Sequence, residues 1–108
     1  MDGRQALARL HAQIERLREI VARGQRGVLR FDEAVRRIDA ELGPPVRPDP
    51  VPGDSPLAPA VRACEAVVDD CRREIDRVRA GLVRPDDAFE AIRDRLARAG
   101  DCRPGVAA

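Results

Sequence analysis

One short run of the chain has enough carboxylates to suggest metal chemistry, namely Asp69-Asp70-Cys71-Arg72-Arg73-Glu74. Carboxylates one turn apart on a helix could hold Mg²⁺ and, through it, a diphosphate. A chain of 108 residues is too short for the deep aromatic-lined pocket that such chemistry requires, and no second acidic motif faces this one. Arg73 also follows Asp69 by four residues and can neutralise it. We interpret the run as a solvated helix face and predict no metal site.

The three cysteines, Cys64, Cys71 and Cys102, could support metal or redox chemistry. Cys64 and Cys71 are seven residues apart, about 10.5 Å along a helix, too far to share one zinc ion or one disulfide. The odd number of cysteines favours a reducing compartment. We interpret Cys64 and Cys71 as small buried hydrophobes. The alternative is a redox or cross-linking role, for Cys71 with a second copy of the chain, or for Cys102.

His11 is the single histidine, and no nucleophile accompanies it in a recognisable pattern. A lone histidine without a paired nucleophile argues against acid–base catalysis, and we predict a surface position for it. The sequence has no Gly-rich phosphate loop, no Ser/His/Asp set and no CxxC motif. We therefore predict a non-enzymatic protein with no catalytic residues, no bound metal and no cofactor.

Charge is abundant but balanced, with 20 basic and 19 acidic residues for a net charge of +1. All basic residues are Arg, which we interpret as codon usage of a GC-rich bacterial genome. A nucleic-acid surface requires a clearly basic stripe, but residues 1–42 hold nine Arg against seven acids and residues 61–108 ten against ten. We therefore do not expect nucleic acid as a partner. The alternative regulator that binds nucleic acid would use Arg16, Arg18, Arg23, Arg26 and Arg30.

The elements that carry these residues are amphipathic helices. In the first stretch, apolar residues alternate at steps of three and four, as in the a/d seam of a coiled coil. They are Leu7, Leu10, Ile14, Leu17 and Val21. A break from Gly24 to Gly27 ends this helix, and a second helix follows. Its apolar residues are Phe31, Val35, Ile38 and Leu42.

The same pattern returns 54 residues later, so the chain contains an internal repeat. Without a gap, nine positions are identical in the two copies. They are Ala12/Ala66, Arg18/Arg72, Arg23/Arg77, Gly27/Gly81, Arg30/Arg84, Asp32/Asp86, Ala34/Ala88, Ile38/Ile92 and Leu42/Leu96. The repeat predicts a duplicated helical hairpin.

A Pro-rich stretch separates the two copies. Seven of the nine prolines lie in residues 43–60, which excludes a helix or a central strand over most of that range. An extended polyproline conformation of about 3.1 Å per residue would let it reach roughly 50 Å. We predict a first hairpin at 1–42, a linker at 43–60, a second hairpin at 61–100 and a flexible tail at 101–108, with the third helix starting near Pro56 or Pro59.

The fold class that follows is all-α, with four helices in two hairpins. A hairpin of roughly 36 residues is below the size that folds alone, so the two must pack as a bundle or pair in a homodimer. The surface left for a partner would be part of the apolar seam, by helix-in-groove contact. We predict an interaction seam formed by Leu10, Ile14, Leu17, Val21, Val68, Ile75, Val78 and Phe89.

Each hairpin resembles the short helical module known as SHOCT. The second copy matches as Gly81-Leu82-Val83-Arg84-Pro85-Asp86-Asp87-Ala88-Phe89 followed by Leu96, and the first as Gly27-Val28-Leu29-Arg30-Phe31-Asp32-Glu33-Ala34-Val35 followed by Leu42. The family usually has a Ser, Thr or Asp cap where Arg30 and Arg84 stand, and a charged residue where Ala34 and Ala88 stand. The resemblance implies oligomerisation or partner binding rather than catalysis.

The sequence therefore predicts a helical adaptor or oligomerisation module with a protein partner or a second copy of itself. An accessory subunit that modulates a neighbouring enzyme is an alternative that differs only in its partner. No leader pattern follows Met1 and no run approaches 18 apolar residues. We expect neither a signal peptide nor a membrane span, and a cytoplasmic location.

Overall fold

Four helices make up the fold. The computed structural model describes residues 3–44 and 56–99, and in these two ranges it contains helices and no strand. The helices are α1 (Gly3–Gln25), α2 (Phe31–Leu42), α3 (Ala58–Arg79) and α4 (Pro85–Arg98). We call α1 and α2 hairpin 1, and α3 and α4 hairpin 2. The predicted all-α class with two helical hairpins is confirmed.

The two long helices end in the same way, at the glycines that the sequence marked as breaks. At the end of α1 the Val28 N–H donates to Arg23 O at 3.0 Å, and the Gly27 N–H to Gly24 O at 3.1 Å. These are the two bonds of a Schellman motif, which requires a residue with positive φ at its centre. Gly27 has φ 76° and Gly81, at the matching end of α3, has φ 74°. Glycine adopts this conformation without steric cost.

The two short helices begin alike as well. Arg30 and Arg84 are their N-caps, with extended backbones at φ −70°, ψ 154° and φ −78°, ψ 153°, and neither side chain makes a capping hydrogen bond. Two acidic residues stand instead in the first turn of each helix. They are Asp32 with Glu33 and Asp86 with Asp87. Their negative charges stabilise the positive end of the helix dipole.

Within hairpin 1, α2 runs back along α1. Gln13 in the first half of α1 donates from Nε2 to Glu41 O near the end of α2 at 3.3 Å, and Arg16 is ion-paired to the Glu41 carboxylate. In hairpin 2, Arg95 near the end of α4 is paired in the same way with Asp70 in the middle of α3. Both hairpins are therefore antiparallel.

The helices run up, down, up and down. Helix α4 is antiparallel to α1, because the Phe89 ring near its start lies against Gly24 near the end of α1. The Leu96 carbonyl, near the end of α4, accepts a hydrogen bond from Arg18, which lies more than one turn before Gly24 in α1. Since α3 is in turn antiparallel to α4, α1 and α3 point in the same direction. The turns of the two hairpins therefore lie at the same end of the bundle.

The core lies between the hairpins, and every helix contacts the other three. No buried polar or charged residue occurs among the described residues. Ala34 and Ala88 are both 0% exposed, so a charged side chain at either position would be buried. The largest apolar side chains that are fully buried are Leu7, Ile14, Leu17, Ile38, Cys64, Cys71, Phe89 and Ile92.

Helix α3 begins next to Pro59, one of the two starts predicted for it, and three residues before the predicted start of the second hairpin at 61. It starts at Ala58, inside the range 43–60 assigned to the linker, and it carries Pro59 in its first turn. A proline fits there because the first turn needs no intrahelical N–H donor. The middle of the predicted linker (45–55) and the predicted tail (101–108) lie outside the described residues. Among the helices that the structure describes, none is both long and apolar enough to cross a membrane.

Candidate interaction surface

Most of the predicted interaction seam is consumed by the contact between the hairpins. Six of its eight residues are buried in the core, and the other two, Leu10 and Val78, are half-buried against it. The buried six are Ile14, Leu17, Val21, Val68, Ile75 and Phe89. The apolar face of each hairpin is thus covered by the other hairpin of the same chain, and a partner that binds the intact bundle must contact different residues.

A pair of arginines joins the two hairpins reciprocally. Arg72 in α3 donates to Gly43 O at 2.7 Å and to Leu42 O at 3.1 Å, at the end of α2. Arg18 in α1 donates to Leu96 O near the end of α4 at 3.3 Å. The last carbonyls of a helix lack intrahelical donors, so each long helix bonds to the end of the other hairpin's short helix. The guanidinium charge also suits the negative end of the helix dipole.

Sequence reasoning missed this role, although the repeat contained a signal for it. Arg18 and Arg72 are identical at matched positions, and so are the helix-end residues Leu42 and Leu96. Two matched pairs that contact each other crosswise indicate that the hairpins are related by an approximate twofold rotation. The contact is of the kind that a symmetric homodimer makes, here within one chain.

One contact at the turn end departs from this symmetry. The Phe89 ring fills the space above Gly24, and it stacks on the Phe31 ring with centroids 4.7 Å apart and planes 24° from parallel. At the matched positions of the other side stand Val35 and Val78. On one side of the bundle the large Phe89 side chain therefore faces a glycine, which has no side chain. On the other side two valines of medium size stand at the matched positions.

Large apolar side chains remain in water at the end of the bundle that holds the turns. Val28 is 68% exposed and Leu82 is 74% exposed, and they occupy matched positions in the two turns. Phe31, at the start of α2, is 41% exposed. We call these three residues the turn-end patch. They are the large apolar residues that are exposed in the part of the chain that the structure describes.

The acidic run around Asp70 forms ion pairs. Asp70 accepts from Arg95 Nε at 2.5 Å and from Arg73 Nη2 at 2.5 Å. The hydrogen bond from Arg95 is the main reason that the pKa of Asp70 is lowered. The prediction that Arg73 neutralises Asp69 was wrong, since Arg73 reaches Asp70. Among the described residues no group of three His, Cys, Asp or Glu side chains could hold a metal ion.

A second ion pair crosses between the hairpins. Arg79 at the end of α3 donates to Asp39 in α2 at 2.5 Å, and the bond raises the pKa of Arg79. The crossing pair has no counterpart on the opposite side of the bundle, because Gln25 and Arg93 stand at its two matched positions. The groove that holds the pair is open and is lined by Arg36, Asp39, Ala40, Gly43, Pro44, Arg72, Asp76 and Arg79. The matching groove between α1 and α4 is lined by Arg18, Val21, Gln25, Arg93, Asp94, Leu96 and Ala97.

Three of the five arginines named for nucleic-acid binding are held by carboxylates. Arg16 is paired with Glu41, Arg18 with Glu15 at 3.0 Å, and Arg23 with Glu19 at 2.9 Å. The other two, Arg26 and Arg30, are exposed around the first turn. Paired guanidinium groups are less available to phosphates, so the fold does not present the five as one basic stripe.

Cys64 and Cys71 are both 0% exposed and form no disulfide with each other, as expected for small hydrophobes. Burial raises the pKa of the Cys71 thiol to about 11. Because the thiolate is the reactive form, Cys71 is poorly suited to exchange while the fold is intact. Cys102, the other residue proposed for cross-linking, lies outside the described residues.

His11 is half-buried, so the predicted surface position was only partly right. Its Nδ1 atom is shielded from water and makes no hydrogen bond in the described structure. No acidic or nucleophilic side chain is bonded to it there. The ring packs beside the seam of α1, and nothing in its surroundings assigns it chemistry.

Comparisons of the chain with protein-family models, with curated proteins and with solved structures find no match.

Proposed function

We propose that the protein is a non-catalytic helical interaction module that binds a protein partner or a second copy of itself. The observation that carries this proposal is the turn-end patch. Val28 and Leu82 are kept apolar at matched positions of two copies of the hairpin, yet both are mostly exposed. The two turns lie at the same end of the bundle, and exposed apolar side chains gathered on one surface mark interaction sites.

The remaining surface supports the same class of function. The grooves between the helices are open and lined by paired Arg and carboxylate side chains. A small-molecule site is usually a deep and mostly apolar cavity. Helix pairing, which forms the whole core of this chain, is also the kind of contact by which such a module would join its partner. The SHOCT resemblance, with its implied oligomerisation or partner binding, fits this proposal.

The test compares the patch with a matched set of exposed positions. Val28→Gln/Leu82→Gln removes the two apolar turn residues, and Ala12→Gln/Ala66→Gln places the same side chain at a second repeat-matched pair that is also exposed. We expect the parent to self-associate in light scattering or to retain a partner in a pull-down, and the turn variant to lose that contact. The Ala12/Ala66 variant should keep it.

The opposite result is equally clear. If the parent stays monomeric at high concentration and captures the same proteins as the turn variant, the patch is not a contact site. Circular dichroism of both variants should match the parent, since all four positions are exposed. An enzyme found among the captured partners would support the accessory-subunit alternative.

A further inference from the structure

The residues at the contact between the hairpins differ in the two copies, and they determine which hairpins can pair. The two copies share the same turn geometry and the same reciprocal arginine bonds. A pair of two like hairpins can therefore be built in outline by replacing each residue with the one 54 positions away. Among the contacts that would change, three described above change for the worse.

The first is the packing at Gly24. In the observed unlike pair, Phe89 of hairpin 2 lies against Gly24 of hairpin 1. Two copies of hairpin 2 would press Phe89 against Val78, which stands where Gly24 does. Two copies of hairpin 1 would place Val35 over Gly24 and leave a hole. Overpacking and cavities both destabilise a core, and each fault would occur twice in a symmetric pair.

The second is the crossing ion pair. Asp39 of hairpin 1 binds Arg79 of hairpin 2 at 2.5 Å. Two copies of hairpin 2 would bring Arg93 to Arg79, because Arg93 takes the place of Asp39. Two copies of hairpin 1 would set Asp39 against the neutral Gln25. Like charges in one groove repel, so the pairing of hairpin 2 with itself meets both a steric and an electrostatic penalty.

The third is the aromatic stack between Phe31 and Phe89. Hairpin 1 supplies Phe31, and the matched residue of hairpin 2 is Pro85. Hairpin 2 supplies Phe89, and the matched residue of hairpin 1 is Val35. Neither like pair can form the stack. Such aromatic pairs contribute beyond their buried area.

We infer that the face between the hairpins is a recognition surface specific for the unlike hairpin, supplied by the same chain or by a second copy of it, and that it rejects its own kind. This inference goes beyond the proposed function, because it concerns the buried face between the hairpins, whereas the turn-end patch carries the proposed function. A second copy can contribute the unlike hairpin through an exchange of hairpins between two chains.

The test uses the full chain with a protease site placed within residues 45–55. The folded protein is cleaved, unfolded and refolded as one pool, and the pairs are weighed by native mass spectrometry. The two halves differ in length and are told apart by mass. We expect the unlike pair to exceed each like pair by about tenfold or more. The three pairs in a statistical ratio of 1:2:1, or halves that no longer associate, would overturn the inference.

A designed variant makes the same experiment sensitive to the residues named. Phe89→Val/Arg93→Asp gives hairpin 2 the residues of hairpin 1 at the two decisive positions. When hairpin 2 pairs with itself, the smaller side chain at position 89 would fit beside Val78, and the acid at position 93 would face Arg79. We therefore expect this like pair to appear in the spectrum. Arg62→Asp, an exposed charge change elsewhere on α3, should leave the distribution as in the parent.

The second copy is tested in an uncut chain that lacks residues 44–57. The Gly43 carbonyl accepts from the guanidinium of Arg72, and the Arg72 Cα lies roughly 21 Å along α3 from Ala58. Even after the reach of the arginine side chain is subtracted, this gap exceeds the one remaining peptide unit of about 3.8 Å between Gly43 and Ala58, so the hairpins cannot pair within one chain. We expect a helical dimer by light scattering, whereas a folded monomer would refute the exchange between copies. Neither result depends on the turn-end patch, so this inference and the proposed function can fail separately.

Discussion

The side chain of Phe89 occupies the space that a side chain at Gly24 would need. A Cβ atom added to Gly24 would lie 2.7 Å from the Cε2 and Cζ atoms of the Phe89 ring. Phe89 is only 1% exposed and has no room to move away. A glycine in the last turns of α1, which by itself weakens a helix, is thus explained by the hairpin packed on it.

Gly24→Val should destabilise the protein by about 1 to 3 kcal/mol, because the added methyl groups overpack the contact with Phe89. Urea denaturation followed by circular dichroism measures the change. Phe89→Val makes space for the new side chain and should recover part of the loss. The double variant should therefore lose less unfolding free energy than the two single variants lose in sum. Gly27→Ala serves as the control, since its cost comes from φ 76° and its added Cβ would touch nothing within 4 Å. The stability loss caused by Gly27→Ala should be the same with and without Phe89→Val.

Arg72→Met should destabilise the protein by loosening the end of α2 from α3. Arg72 donates to the carbonyls of Gly43 and Leu42 at that end. Hydrogen bonds from charged donors are worth about 1.5 to 3 kcal/mol when buried, and the partial exposure of this group lowers the expected loss to about 1 kcal/mol. Arg62→Met, at an exposed position of the same helix, is the control. Equal denaturation midpoints for the two variants would show that the carbonyl bonds do not stabilise the helix end.

Leu17→Asp should unfold the chain. Leu17 is 0% exposed between the hairpins, and an unpaired carboxylate there costs several kcal/mol, a large part of a total stability of about 5 to 15 kcal/mol. Ala12→Asp, on the exposed side of the same helix, should retain the helical circular dichroism signal. Loss of signal in both variants, or in neither, would contradict the placement of α1.

Asp70 should contribute stability that disappears in acid. Its pKa is lowered in the folded state, first by the hydrogen bond from Arg95. A group of this kind stabilises the fold above its unfolded pKa, about 3.9, and the contribution is lost as the pH falls through the lower folded value. The difference in unfolding free energy between the parent and Asp70→Asn should be constant near neutral pH and shrink below about pH 4. A difference that stays unchanged down to about pH 2 would remove the ion pair as its cause.

Cys71 should resist alkylation in the folded protein. Since burial raises the pKa of its thiol to about 11 from an ordinary 9.0, the thiolate fraction near pH 8 falls roughly 100-fold. In a Cys102→Ser background, iodoacetamide labelling followed by peptide mass spectrometry should modify Cys71 only in denaturant. Fast labelling under native conditions would show that the region around α3 opens readily.

Much of the fold was predictable because helix periodicity and glycine breaks are local signals. The spacing of Leu7, Ile14 and Leu17 indicated the buried face of α1, and Gly27 and Gly81 indicated both turns. The nine identical positions of the repeat also predicted two similar hairpins. These features depend on residues within a turn or two of one another.

The contacts between hairpins could not be read in this way. Nothing near Arg18 or Arg72 in sequence indicates that each bonds a carbonyl in the other hairpin, and Gly24 reads as a helix-ending residue rather than as space for a ring. The turn-end patch was missed because Val28 and Leu82 continue the apolar pattern of the helices, and that pattern alone does not distinguish an exposed turn position from a buried one. Spacing alone assigned Arg73 to Asp69. In the structure Arg73 pairs with Asp70, which also accepts a hydrogen bond from Arg95 of another helix.

The bond from Arg18 to Leu96 joins residues 78 positions apart, and this separation governs how the molecule comes apart. Each short helix keeps these bonds to its last carbonyls only while the opposite hairpin is present, so a half-formed chain would have frayed ends. Heating should therefore produce a single sharp transition with equal calorimetric and van't Hoff enthalpies, rather than the stepwise melting of two independent units.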